Sequence, residues 1–95
     1  MKKIQVGISI SIHPNLRHLT NEREVVQVNG NTVGQCLEQL VAQFPGVESG
    51  LFAKDGTLLN YVTVYVNGES AYPEELARSV SDGDELYIVL MIAGG

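Results

Sequence analysis

The chain of 95 residues is long enough for one small domain with a single core. Its apolar fraction of 44% and charged fraction of 18% are ordinary for a soluble globular protein. Six basic against eleven acidic residues give a net charge of −5, which argues against a nucleic-acid ligand or an anionic membrane surface and favours a basic protein partner. One cysteine excludes an internal disulfide, and no apolar run approaches the roughly 20 residues of a transmembrane helix, so we expect a cytoplasmic protein.

The first third of the chain predicts two strands. Isoleucine or valine alternates with polar residues or glycine over residues 4–12, which is the period of a strand with one buried face. His13-Pro14-Asn15 ends this strand, because proline cannot donate to a ladder. A loop through Asn21 leads to a second strand at residues 24–28, with Val26 and Val28 pointing inward. The two strands would form a hairpin with a long connection.

A helix follows. Thr32 and Gln35 have the spacing of a capping box, so Thr32 is the expected N-cap. Pro45-Gly46 ends the helix. Between these limits an apolar stripe of helical period must pack on the sheet, because a helix of about twelve residues is not stable alone. The residues of this stripe are Val33, Leu37, Leu40, Val41 and Phe44.

The second half predicts the remaining strands. Residues 47–60 are expected to be irregular, with apolar side chains tucked under the sheet edge at Leu51, Phe52, Leu58 and Leu59. A third strand covers residues 61–66. Asn67-Gly68 then predicts a hairpin to a short strand at 69–72. Residues 73–76 fit one helical turn with proline at its first position. Seven consecutive apolar residues at 86–92 predict a last strand that lies centrally in its sheet.

This order of elements predicts an α+β fold of the β-grasp (ubiquitin-like) type. We expect a mixed sheet of four to five strands, with the first and last strands as neighbours and the one main helix packed across one face. Residues 1–92 would form the single domain. Residues 93–95 would form a flexible tail.

The sequence stops at Gly94-Gly95, which suggests a chemical handle. A free α-carboxylate has a pKa of about 3.3–3.7 and is ionised at neutral pH, so it must be activated before it can react as an acyl donor. Glycines have no Cβ, and the four or so residues after the last strand span at most about 13 Å, so a narrow active-site tunnel could admit them. An ATP-consuming partner could make an acyl-adenylate, which sulfide or a thiolate would attack.

Four features together resemble the MoaD/ThiS family of sulfur-carrier proteins, and the resemblance covers nearly the whole chain. They are the Gly94-Gly95 end, Asp82-Gly83-Asp84-Glu85, Val66-Asn67-Gly68 and Thr32-Val33. Residues 12–20 and the Ile92-Ala93-Gly94-Gly95 ending most resemble the mycobacterial carriers of cysteine biosynthesis.

The resemblance implies a role for each tail residue. Gly95 would be adenylylated by an ATP-dependent enzyme of the ubiquitin-activating type and converted to a thiocarboxylate. Gly94 and Ala93 would complete the tail. A sulfur-acceptor enzyme would then use the sulfur to make cysteine, thiamin or molybdopterin. The carrier would be no enzyme and would bind no cofactor or metal itself, since the activating partner uses the ATP.

One departure from the family concerns the tail root. Family members often have a proline a few residues before the glycines, whereas this chain has Leu90-Met91-Ile92. The change leaves the end of the strand more apolar. It bears on which enzyme accepts the sulfur more than on the carrier role.

Partner binding is assigned to the sheet face that the helix does not cover. The side chains that alternate away from the core there form an apolar patch, and such a patch commonly marks a partner surface. The alternatives are burial under residues 51–59 or a homodimer contact. The residues concerned are Tyr61, Tyr65, Tyr87, Val89, Met91 and Ile92.

Other reactive side chains have simpler interpretations. Cys36 lies beside the apolar stripe and is expected in the core. His13 and His18 share a loop but lack a third ligand for a metal, so solvated loop residues are expected. Asp82, Asp84 and Glu85 fit a turn with Gly83 at positive φ.

Three other functions remain open at this point. The chain could be the small subunit of molybdopterin synthase, with its tail inserted in the partner. It could be a ubiquitin-like modifier joined to other proteins through Gly95. It could be an interaction module with an idle tail.

Overall fold

The computed structural model describes residues 7–91. Within this range, five strands form one mixed sheet in the order β2-β1-β5-β3-β4. Two α-helices lie between β2 and β3, and three short 3₁₀ segments fill connections. The strands are β1 (Ile8–Ser11), β2 (Val25–Val28), β3 (Val62–Val66), β4 (Glu69–Ser70) and β5 (Glu85–Leu90), and the helices are α1 (Val33–Gln43) and α2 (Glu48–Leu51).

The pairing of β5 confirms the predicted β-grasp topology. β5 runs parallel to β1, with Ser11 opposite Tyr87, and antiparallel to β3, with Tyr65 opposite Tyr87. The first and last strands are therefore neighbours inside the sheet, and β5 has a hydrogen-bonded strand on both sides. β1–β2 and β3–β4 are antiparallel hairpins.

The core lies between one face of this sheet and α1. Ile8 and Ile10 of β1, together with Leu86 of β5, are fully buried on the inner face. Strand alternation places them on the same side because the register sets Ile10 opposite Leu86. The predicted helical stripe packs against them: Val33, Leu37 and Leu40 are fully buried, whereas Val41 and Phe44 are partly buried.

The start of α1 is a modified capping box. The Thr32 hydroxyl accepts a hydrogen bond from the Gln35 amide at 3.1 Å, as the sequence predicts. The Gln35 side chain, however, accepts from the backbone amide of Asn31 at 2.7 Å, one residue before the N-cap. The predicted N-cap at Thr32 is confirmed, and its hydroxyl satisfies one of the helix amides that lack an intrahelical partner.

The connections contain more structure than the sequence predicts. Residues 47–60 are not wholly irregular: Pro45–Val47 is a 3₁₀ turn that continues into α2, and Leu51 is fully buried. The loop after β1 is a 3₁₀ helix over Pro14–Leu19. These segments have three to six residues, too few to show a hydrophobic period.

Two boundaries in the second half also differ from the prediction. β4 is two residues long and ends at Ser70, although the Ala71 amide still donates to the Val64 carbonyl at the next position of the same register. The helical turn lies at Glu75–Ala77, so Pro73 precedes it and does not occupy its first position. Glu75 is fixed there by the buried Thr63 hydroxyl, which donates to its carboxylate at 2.6 Å.

Candidate functional site

The outer face of the sheet, on the side away from α1, is the candidate site. We call it the open face and define it by the rows of side chains that strand register places together. One row crosses all five strands: Val25, Ser11, Tyr87, Tyr65 and Ser70. Facing residues on antiparallel strands lie close enough for their side chains to touch. The open face is therefore a continuous surface.

The open face becomes more apolar along β5. At the start of the strand, Glu85 lies beside Ser9 of β1. Next comes the row that contains Tyr87, which is 42% exposed, and then Val89, which is half-buried and pairs with Thr63. At the far end, Met91 is 56% exposed, and its amide donates to the Tyr61 carbonyl at 2.7 Å. The apolar end of the face is thus the end at which the chain leaves the sheet.

Five of the six predicted partner residues lie within the described part of the chain, and all five are exposed or half-buried. Tyr61, Tyr87 and Met91 are exposed, and Tyr65 and Val89 are half-buried. The structure brings all five together on β3, β5 and their immediate ends. Residues 51–59 do not bury Tyr61, Tyr87 or Met91. The sixth, Ile92, and the tail residues Ala93, Gly94 and Gly95 lie outside the described residues.

Two hollows flank the ridge formed by Tyr87 and Val89. The first has a volume of about 570 Å³ and lies toward β3, where Tyr65, Asn67, Gly68 and Glu85 complete its lining. The second, of about 370 Å³, lies toward the 3₁₀ helix after β1. It contains charges of both signs, Arg17 and Glu24. The Arg17 Nε also donates to the Ile12 carbonyl at 3.0 Å.

The turn between β3 and β4 is bonded to the start of β5. Asn67 and Gly68 both have positive φ, at 52° and 86°, which matches the two-residue hairpin predicted for this pair. The Asn67 side chain accepts from the Glu85 amide at 2.9 Å and donates to the Asp84 carboxylate at 3.0 Å. These bonds fix one wall of the first hollow.

The acidic turn before β5 has a structural role, as the sequence predicts. Gly83 has a φ of 92°. The Asp84 carboxylate accepts from the Asn67 side chain and from the Ser81 amide, and these hydrogen bonds lower the pKa of Asp84 below its usual range. Glu85, by contrast, is exposed at the edge of the first hollow. The sequence assigned Glu85 to the turn and not to the partner residues, but it is the first residue of β5 and faces the same side of the sheet as Tyr87, two residues later.

The remaining reactive side chains do not form a catalytic centre in the described chain. Cys36 is fully buried in the core, and desolvation, followed by the charge of Asp84, raises its thiol pKa to about 11. His13 caps the following 3₁₀ helix by accepting from the Asn15 amide at 3.0 Å, and His18 is exposed. Residues 7–91 contain no group of three potential metal ligands. No helix in that range has both the length and the apolarity to cross a membrane.

The family model described as the ThiS family matches residues 10–95. The chain belongs to the ThiS family. It is also 31% identical over 93 residues to the sulfur carrier protein CysO of *Mycobacterium tuberculosis*, covering 95% of this chain and 100% of that protein. The small archaeal modifier protein 1 of *Haloferax volcanii* is 37% identical over 83 residues, covering 85% of this chain and 92% of that protein.

Solved structures agree with the sheet topology of this ThiS-family protein. The crystal structure of the *Amycolatopsis orientalis* BexX/CysO complex contains a chain with a TM-score of 0.85 and 30% identity, covering 94% of this chain and 100% of that chain. The crystal structure of *Mycobacterium tuberculosis* CysO gives a TM-score of 0.83 at 29% identity, covering 90% of this chain and 100% of that chain. The β-grasp fold is thereby confirmed. The sulfur-carrier and modifier names belong to the relatives.

Proposed function

We propose that this ThiS-family protein carries sulfur on the carboxyl group of Gly95. The observation that supports this most strongly is the 31% identity to a sulfur carrier whose whole length the chain covers. The family match also extends through Gly95. The fold holds the chain in place up to the tail, because Met91, the last described residue, is hydrogen-bonded at the end of β5. Four residues beyond it span at most about 13 Å.

The proposed chemistry has two steps, both catalysed by partners. A carboxylate oxygen of Gly95 attacks the α-phosphorus of ATP, and pyrophosphate leaves. A sulfur nucleophile then attacks the acyl carbon, and AMP leaves, so that the carboxylate becomes a thiocarboxylate. An acceptor enzyme takes the sulfur into a small molecule such as cysteine, thiamin or molybdopterin. The carrier supplies the acyl group and the recognition surface.

The open face is the proposed docking surface for both the adenylylating enzyme and the acceptor. Three exposed side chains, Tyr61, Tyr87 and Met91, concentrate apolar area at the end of the sheet from which the chain continues toward Gly95. A partner enzyme that bound this end of the sheet would bring its own surface close to the point from which the chain continues to Gly95. The same face cannot be covered by two enzymes at once, so the partners would bind in turn.

A second candidate function is protein modification. The 37% identity to the small archaeal modifier protein 1 favours it, since that relative is named for modification. Activation of Gly95 would be shared by both functions. They differ in the nucleophile that attacks the acyl-adenylate or its thioester: sulfur for a carrier, a lysine amine for a modifier.

Intact mass spectrometry tests the proposal. The protein is incubated with the adenylylating enzyme of its own organism, ATP and a sulfur donor. A carrier gains the mass of one oxygen-to-sulfur exchange, located at Gly95 by fragmentation. Conjugates of higher mass that disappear when Gly94 and Gly95 are deleted would support the modifier instead. An unchanged mass, with no conjugates, would contradict both functions.

A further inference from the structure

We propose that the first hollow of the open face receives an arginine side chain of the partner protein. Glu85 would bind the guanidinium, and Tyr65 and Tyr87 would pack on it. This inference rests on the proposed function, because it specifies the chemistry by which the docking surface recognises its partner.

Strand register assembles the hollow. Tyr65 and Tyr87 face each other across the antiparallel β3–β5 pair, so their side chains begin about 5 Å apart. Glu85 precedes Tyr87 by two residues and shares its face. Asn67 and Gly68 line one end, and the hollow, which is open to solvent, has a volume of about 570 Å³. Two aromatic rings and one carboxylate thus line a surface depression large enough for a long side chain.

The lining of the hollow leaves the Glu85 carboxylate as the charged group that can recognise a ligand. Both polar atoms of the Asn67 amide are already bonded, to the Glu85 amide and to Asp84. The Tyr87 hydroxyl reaches Glu85 only at a long 3.4 Å. Within residues 7–91 the sole ion pair joins Arg78 to Glu69, so no described cation neutralises Glu85.

Charge and shape both favour arginine. The chain carries a net charge of −5, and a further carboxylate, that of Asp84, is hydrogen-bonded to Asn67 in the lining of the hollow. Aromatic faces attract cations, and a planar guanidinium can stack on a ring while it binds a carboxylate with two parallel hydrogen bonds. The ammonium group of a lysine is not planar, so it cannot stack on a ring and form two parallel hydrogen bonds in this way. The second hollow has both Arg17 and Glu24 in its lining and so lacks this preference.

The first test uses a small probe and needs no partner. N-acetylarginine amide is titrated into the full-length protein while the amide signals of Glu85 and Tyr87 are followed by NMR. N-acetylcitrulline amide, which has nearly the same shape without the charge, is the matched ligand control. We expect arginine to shift these signals and citrulline not to, and we expect the arginine shifts to vanish in Glu85→Gln.

The second test measures affinity for the adenylylating enzyme of the same organism by calorimetry. Glu85→Gln should weaken binding by about tenfold, since a charge-assisted hydrogen bond at an interface is lost, and should reduce the dependence on salt. Tyr87→Leu, which keeps apolar bulk, should weaken it several-fold. Glu48→Gln is the control, because Glu48 is exposed on α2 and does not line the hollow.

The outcomes separate this inference from the proposed function. If the wild-type protein gains sulfur but Glu85→Gln binds the enzyme as tightly as Glu48→Gln, the arginine site is wrong and the carrier function stands. Equal shifts with arginine and citrulline would also overturn it. Probe binding without sulfur loading would contradict the function instead.

Discussion

Asp84 joins three separate parts of the chain through its carboxylate. One oxygen accepts from the Asn67 side chain in the β3–β4 turn, and the other accepts from the Ser81 amide. The next residue, Glu85, begins the central strand. The half-buried Asp84 side chain therefore fixes the start of β5 relative to the β3–β4 hairpin, whose turn also lines the first hollow.

The hydrogen bonds to Asp84 predict a pH-dependent contribution to stability. They lower its folded-state pKa, so the contribution is present above the unfolded pKa of about 3.9 and is lost as the pH falls through the folded-state value. Asp84→Asn should lower the urea midpoint at pH 7. The difference from wild type should begin to shrink near pH 4, where the carboxylate of the unfolded chain becomes protonated, and should disappear at lower pH, where the folded-state carboxylate is protonated as well.

Asp82→Asn is the matched control for that measurement. Asp82 lies in the same exposed turn, and its side chain makes no hydrogen bond within residues 7–91. Its midpoint should follow wild type at every pH. A constant difference between Asp84→Asn and wild type down to pH 2.5 or so would contradict the assigned role, because the linkage to protonation would be absent.

Leu40 provides a prediction about the core. It is fully buried on the inner side of α1, so Leu40→Ala leaves a cavity and should lower the free energy of unfolding by about 2–5 kcal/mol. Gln39→Ala, at the neighbouring exposed position, should change it by less than about 0.5 kcal/mol. Urea unfolding of the two variants checks this. A near-neutral Leu40→Ala would contradict the packing of α1 on the sheet.

At the level of elements, the sequence predicts the long strands and the helix well. Alternation identifies Val26 and Val28 as inward, and both are buried. The apolar run that contains Leu86 and Ile88 correctly indicates a central strand. Such patterns succeed because burial of one face imposes a period over many residues.

The elements that the sequence missed or placed a few residues away are short or depend on distant contacts. Pro45–Val47 and Glu75–Ala77 have three residues each, which is less than one helical period of evidence. The position of the second follows from the bond between Thr63 and Glu75, twelve residues apart. The hollow at Glu85 arises in the same way, since only the β3–β5 register brings Tyr65 beside Tyr87. The sequence around either tyrosine contains no pattern that predicts this register.

The end of β5 allows a test of the departure from the family pattern. The Met91 amide donates to the Tyr61 carbonyl at 2.7 Å, and proline at this position would have no such donor. Met91→Pro should therefore lower the free energy of unfolding by about 0.5–1.5 kcal/mol. Met91→Ala keeps the donor and trims an exposed side chain, so it should remain near wild type. Chemical denaturation of both variants decides the point.

An equal effect of the two substitutions would mean that the Met91 side chain, and not its amide, contributes to stability. A proline that stabilised the protein would mean that the bond to Tyr61 is worth less than the conformational entropy that proline removes from the unfolded chain. Either result would contradict the idea that the hydrogen bond from the Met91 amide stabilises the end of β5 in this chain.

In the molecule as a whole, the residues that stabilise the fold are separate from those proposed to take part in sulfur transfer. The large fully buried residues of β1, β5 and α1 lie between α1 and the inner face of the sheet, and the proposed partner surface is the opposite face. Gly95 belongs to neither layer in the proposed function. Substitutions in the core should therefore alter stability, whereas changes at the carboxyl end should alter loading alone.

Extending the chain beyond Gly95 tests this division directly. A single tryptophan added after Gly95 moves the α-carboxylate onto a bulky residue, which a narrow active-site tunnel would exclude. We expect no sulfur gain by intact mass and an unchanged melting temperature. A glycine added at the same place is the matched control: it lengthens the tail without adding bulk, so that variant should retain more loading than the tryptophan variant. A large fall in melting temperature with tryptophan would show that the end of the chain packs on the domain, and normal loading of that variant would remove Gly95 from the proposed chemistry.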